Sequence, residues 1–143
     1  MPDESSRQLG DFEGVWDLYR DIVQADGTSA RFSGRAEWAR DGDAMQYCET
    51  GHLLMPGQVP MTAARRYIWQ PDLTVWFDDG RFFHQVPGAG GQTQHWCDPD
   101  MYKVAYDFAH WPQFQVTWEV SGPRKDYQMV SIYDRREQNF KHL

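Results

Sequence analysis

This 143-residue sequence is short of positive charge, of cysteine and of aliphatic bulk, and each shortage closes off a class of protein. Lys and Arg number 14 against 21 Asp and Glu, a net charge of -7 with His neutral. Such a chain lacks the broad basic field that draws phosphate backbones, so no nucleic acid partner is expected. Its two cysteines, Cys48 and Cys97, stand 49 positions apart in apparent strands. They fit neither a disulfide framework nor paired zinc knuckles, and both are expected to be reduced. No stretch approaches the roughly 20 apolar residues of a membrane helix. The opening "MPDESSRQLGDF" has neither the basic start nor the apolar run of a secretory signal. A cytoplasmic protein with no membrane partner is the expectation.

What the chain has instead is rings. Phe, Trp and Tyr make up 15% of the residues while mean hydropathy is only -0.75. Rings with a polar edge suit a core that touches water or a ligand. The length predicts one domain, 1–143, with loose ends at 1–8 and 137–143. Turn signals recur at about the spacing of a strand plus its turn: "ADGT" at 25–28, "RDGD" at 40–43, "QPDL" at 70–73, "DDGR" at 78–81, "DPD" at 98–100 and "SGPR" at 121–124. Between them apolar and polar residues alternate, as in Phe114, Val116, Trp118 and Val120, or Tyr102, Val104, Tyr106 and Phe108. The pattern predicts an all-β, single antiparallel up-and-down barrel of about nine or ten strands. "DFEGVWDLYRDIV" also fits an amphipathic helix capped by Asp11. Gly14, the β-branched pair Ile22 and Val23, and the alternating run that follows favour a strand entered by a short helical turn.

Several motifs carry a resemblance. "GVW", with Gly14 and Trp16, is similar to the Gly-x-Trp opening of calycins, the superfamily of lipocalins and fatty-acid-binding proteins. "YDRR" near the end offers Arg135 to lie across Trp16 as a cation–π closure. The ordered set "FEGVWDLYR", "MQYCETG", "RRYIW", "FDDGRFFH", "HWCDPDMY", "TWEVSGPRKDY" and "YDRR" resembles a family of small bacterial and fungal proteins known as a domain of unknown function. The resemblance implies a calycin-like barrel and no particular activity. Nitrobindins, haem-binding barrels of similar length, are a more distant analogy, and their haem-ligand motif matches no His here.

If each apolar stripe faces inward, several polar residues share the interior. Arg20 is in phase with Trp16, Leu18 and Ile22; Glu49 with Met45 and Tyr47; His84 with Phe82 and Val86; Lys125 and Arg135 with Tyr127, Met129 and Tyr133. Arg66 goes with Ile68, although Tyr67 and Trp69 make the opposite phase equally open. A charge inside a barrel must be paired, neutralised or solvated. This cation-rich set predicts a cavity for a small anionic, aromatic or acyl molecule, lined by Arg20, Glu49, Arg66, His84, His95, Tyr102, Trp118 and Lys125. The rival is a barrel enzyme, a decarboxylase, isomerase or cyclase, in which Glu49 with a raised pKa moves the proton and Tyr47 donates.

The stretch "FFHQVPGAGGQTQHWCD" poses a question of register. As a hairpin with a five-residue loop, Pro87–Gly91, it puts His84 and His95 on opposite faces, whereas a six-residue loop sets them side by side. His95 and Cys97 alone are too few for a metal site. No cofactor is required, and haem through one histidine stays open. Trp96 and Trp111, if exposed, would offer a homodimer face.

Overall fold

The computed structural model describes residues 6–135. A short 3₁₀ turn, Leu9–Phe12, leads into ten strands: β1 Gly14–Gln24, β2 Ser29–Asp41, β3 Ala44–Leu54, β4 Met61–Trp69, β5 Thr74–Phe77, β6 Phe82–Gln85, β7 Gly91–Cys97, β8 Asp100–Asp107, β9 Phe114–Ser121 and β10 Asp126–Arg135. All lie in one antiparallel sheet ordered β6-β5-β4-β3-β2-β1-β10-β9-β8-β7. The sheet curls until its two edges, β6 and β7, face each other across a seam with no ladder between them. The result is a nearly closed, lipocalin-like up-and-down barrel, with no α-helix among the described residues.

The strand reading of 12–23 holds, and the short turn before it is the 3₁₀ segment. Along β1 the residues Trp16, Leu18 and Arg20 are buried while Tyr19 and Asp21 are not, the period of two that a half-buried strand imposes. Between β2 and β3 a two-residue turn, Gly42 and Asp43, joins the paired residues Asp41 and Ala44, and its first position takes φ 63°, where a Cβ is strained. Deeper in the same pair, Gly34 lies opposite Gly51, and a Cβ on Gly51 would meet Ser33 O at 2.3 Å. The backbones approach closely there because neither residue has a side chain.

One end of the barrel is packed shut by rings. Phe12 lies 5.5 Å from Trp38, 5.1 Å from Trp69, 5.3 Å from Trp111 and 5.6 Å from Phe114 between centroids. Pairs of this kind are worth about 0.5–1.5 kcal/mol each beyond the area they bury. Over them sits the anticipated closure, with Arg135 Cζ 4.2 Å from the Trp16 ring centroid and Trp16 Nε1 donating to Phe12 O at 2.9 Å. Trp111 belongs to this plug and is half-buried, so it is not half of an exposed face; only Trp96 of that pair stands in solvent, 57% exposed. The Arg7 N–H donates to Gly88 O at 2.7 Å, so the described part of the segment expected to be loose at 1–8 is tied down. The rest of that expectation, 1–5 and 137–143, lies outside the described residues.

Neither register drawn for 82–98 occurs, because β6 pairs only with β5. Val75 faces His84 and Trp76 faces Phe82, so Phe83 is an extra residue in a β-bulge. A bulge turns two successive side chains toward one face. Phe83 and His84 are both buried inside, and Phe82, expected to be inward, is 40% exposed.

Candidate functional site

Above the ring plug the interior holds a cavity lined by residues from nine strands, all but β7. Its floor is aromatic, with Trp38, Trp69 and Phe114; its walls carry Tyr47, Tyr67, Phe83, Tyr106 and Trp118; and its ionisable groups are Arg20, Glu49, Arg65 and His84. Counting the mouth it encloses about 430 Å³ of atom-free space, but only about 30 Å³ of this admits the centre of a water molecule. That is room for about two waters.

Arg20 and Glu49 form the buried polar hub. They sit on β1 and β3, and the small inward residues Gly34 and Ala36 on the intervening β2 leave room for the side chains to meet. Arg20 donates to both Glu49 oxygens, at 2.5 and 3.0 Å, and through Nε to Ser131 Oγ at 2.7 Å. Tyr47 OH donates to Glu49 Oε1 at 2.5 Å and shares a hydrogen bond of 2.7 Å with Tyr133 OH. Burial alone would raise the Glu49 carboxyl, but the Arg20 charge and the hydrogen bonds from Arg20 and Tyr47 bring it below its usual value. This corrects the premise of the enzyme reading: Glu49 is a paired carboxylate, not a proton donor poised near neutral pH. Tyr47 does not ionise either, since burial and the nearby Glu49 charge push it well above its ordinary value.

The positive charge not used in this pair comes from Arg65. On β4 it is Arg65, Tyr67 and Trp69 that line the cavity, whereas Arg66, the expected lining residue, is exposed on the outer face. Its phase was the one the sequence left open, and the ring-bearing alternate stripe took the interior. Arg65 lies half-buried with its Cζ 5.7 Å from the Trp118 ring centroid, and among the described residues no carboxylate is within ion-pair distance of it. With Arg20 matched by Glu49, the wall carries one positive charge in excess.

His84, carried in by the bulge, is neutral: burial, with His95 nearby, pushes its pKa down to about 3. Its Nε2 shares a hydrogen bond of 2.9 Å with Tyr106 OH, while its buried Nδ1 has no partner among the described residues. Trp38 Nε1, also buried, has none. Of the other residues expected at the site, Trp118 lines the cavity. His95 stands at the seam, 5.6 and 5.9 Å from the rings of Phe82 and Phe83, outside the lining. Tyr102 backs the wall against Phe83 and Trp118, and Lys125 lies at the rim, bound to Asp100 Oδ2 at 3.2 Å and Tyr102 OH at 3.3 Å with 47% of its side chain exposed. Among the described residues no group of three or more His, Cys, Asp or Glu is placed to hold a metal ion.

The sequence reading missed Arg65, Phe83, Tyr106, Ser131 and Tyr133. Tyr106 and Tyr133 were legible, being on inward stripes already recognised. Ser131 lies between the inward Met129 and Tyr133, and a small hydroxyl on such a stripe is the signal that an inward cation needs a partner. Phe83 had no signal, because the bulge that turns it inward leaves no mark in the pattern.

The match to a family model described as a family of unknown function, DUF6314, covers residues 12–135. The chain belongs to that family. The match runs from Phe12 in the ring plug to Arg135 over Trp16, so it takes in the whole barrel. No curated protein matches the sequence. Among solved structures, the S-type phycobiliprotein lyase CpeS from Guillardia theta aligns over 92% of this chain and 92% of its own, with a TM-score of 0.64 and 7% identity. At that identity the likeness speaks for a shared fold alone. A de novo designed fluorescence-activating β-barrel covers 90% of this chain and 96% of its own at 12% identity, with a TM-score of 0.44, too loose a likeness to build on.

Proposed function

We propose that this barrel binds a small organic anion in its interior, with the negative group held by Arg65 at the upper wall and the apolar body stacked among Tyr67, Phe83 and Trp118. The observation that carries the reading is the half-buried Arg65, which bonds to Tyr67 and lies across the strand pair from Glu49 but within ion-pair distance of no carboxylate among the described residues, so that two cations share the one carboxylate of the cavity wall. A partly desolvated guanidinium beside aromatic rings favours a carboxylate over a neutral guest of the same shape. The free space is small, so a guest must displace a side chain to enter. Phe83 is the side chain placed to yield. It rides on the short β5–β6 hairpin, which is laddered to β4 at three positions, Tyr67, Ile68 and Trp69, and to β7 at none. Above Tyr67 that edge of β4 has no ladder partner among the described residues, and the gap beside Arg65 is the entry route of this reading.

Tryptophan fluorescence titration with a panel of aryl and acyl carboxylic acids tests it. Saturable quenching by at least one acid, weakened tenfold or more in Arg65→Gln, is the expected result. No saturation by any acid, or equal affinity in the variant, would overturn the reading.

A further inference from the structure

Two polar atoms in the cavity wall have no hydrogen-bond partner among the described residues. Trp38 Nε1 and His84 Nδ1 are both buried, their residues 1% and 3% exposed, and both residues line the cavity. Buried polar groups without partners are uncommon, and leaving one unmade costs about 1–3 kcal/mol. Both lie toward the closed end. Trp38 packs on the ring plug, and His84 is opposite Val75, itself opposite Trp69, four residues down β4 from Arg65. Four residues of strand span about 13 Å. The cavity therefore has polarity along its length, with a cation near the mouth and uncharged hydrogen-bonding atoms at the floor.

We propose that the guest is an elongated, flat carboxylic acid whose far end carries an uncharged oxygen, a hydroxyl or a carbonyl, that engages His84 Nδ1, with Trp38 Nε1 as a second unpartnered donor lining the same cavity. This rests on the anion-binding reading and adds the chemistry of the second end. The indole N–H only donates, so it calls for an acceptor. The imidazole answers either kind of oxygen. If Nδ1 is bare it accepts from a hydroxyl, and if Nδ1 carries the proton it donates to a carbonyl, while Tyr106 OH adjusts to whichever role Nε2 has left. A second carboxylate is unsuited to the floor, because His84 there is neutral and Arg20 is held by Glu49. A purely apolar tail is unsuited too, since it would seal both orphan atoms away from water.

Three probes separate the parts: trans-cinnamate, 4-hydroxycinnamate and the methyl ester of 4-hydroxycinnamate, each titrated calorimetrically against the wild type, Arg65→Gln and His84→Phe. The expected result is 4-hydroxycinnamate binding roughly three- to tenfold tighter than cinnamate, the worth of one recovered buried hydrogen bond. The ester should weaken in step with Arg65→Gln, and in His84→Phe the advantage of the hydroxyl should shrink while the carboxylate is still required. Equal affinity of cinnamate and 4-hydroxycinnamate for the wild type would overturn this inference and leave the anion site standing, a comparison that needs no variant to fold. No binding of either acid, with none by the wider panel, would overturn both.

Discussion

Acidification from pH 7 to pH 5 is expected to destabilise this barrel by about 2 kcal/mol through His84 alone. In the folded state burial holds its pKa near 3, against an ordinary value of 6.5 for the unfolded chain. Between those values the unfolded chain binds a proton that the folded one refuses, so stability falls as pH falls. The loss is absent above about pH 7, begins near 6.5 and is complete near 3. At pH 5 it amounts to 1.5 pH units at about 1.36 kcal/mol each, or about 2 kcal/mol. With a urea slope of about 2 kcal/mol/M, the midpoint should drop by about 1 M between pH 7 and pH 5. Most carboxylates stay ionised over this interval, which isolates the histidine term. His84→Gln keeps a polar group near Tyr106 and removes the titration, so its midpoint should move much less over the same range. His95→Gln serves as control, because that ring is also shifted downward by desolvation. An unchanged pH slope in His84→Gln would refute the placement of a neutral imidazole in the wall.

Further expectations follow from the same geometry. Glu49→Gln leaves Arg20 buried without a counter-charge and should cost about 3–5 kcal/mol in urea unfolding, whereas Arg20→Met with Glu49→Leu together should recover most of it; a single-variant loss under 1 kcal/mol would show the pair to be solvated. Gly51→Ala places a methyl 2.3 Å from Ser33 O and 2.7 Å from Gly34 Cα, so β2 and β3 must separate, and the midpoint of thermal unfolding should fall by several degrees. Backbone hydrogen exchange should be fastest, among the strands, in β5 and β6 and slow on ligand addition, because the seam leaves that hairpin with the fewest ladder bonds. Exchange there as slow as in β1 would remove the entry route.

Much of this fold can be read directly along the chain. Alternation located the strands, and the placing of Trp16 and Arg135 anticipated a closure now seen at 4.2 Å. The hub was half legible: Arg20 and Glu49 declared themselves as charges on apolar stripes, while their meeting depended on the small residues of β2 between them. What stayed hidden has a common cause. Arg65 and Arg66 are adjacent cations, the first in phase with Tyr67 and Trp69 and the second with Ile68, and with an apolar partner on either side alternation alone did not choose between them. The bulge at Phe83 inverted the phase in the middle of "FFHQ", and the missing ladder between β6 and β7 is a property of how far the sheet curls, which no local pattern encodes.

Whether the lumen is a guest site is tested most directly by the indole N–H resonances of the tryptophans during titration with the best carboxylic acid of the panel. Trp38 and Trp118 line the cavity, and Trp96 stands in solvent. Saturable shifts at Trp38 and Trp118 with Trp96 unmoved are the predicted result. Shifts confined to Trp96, or none at saturating acid, would contradict the account.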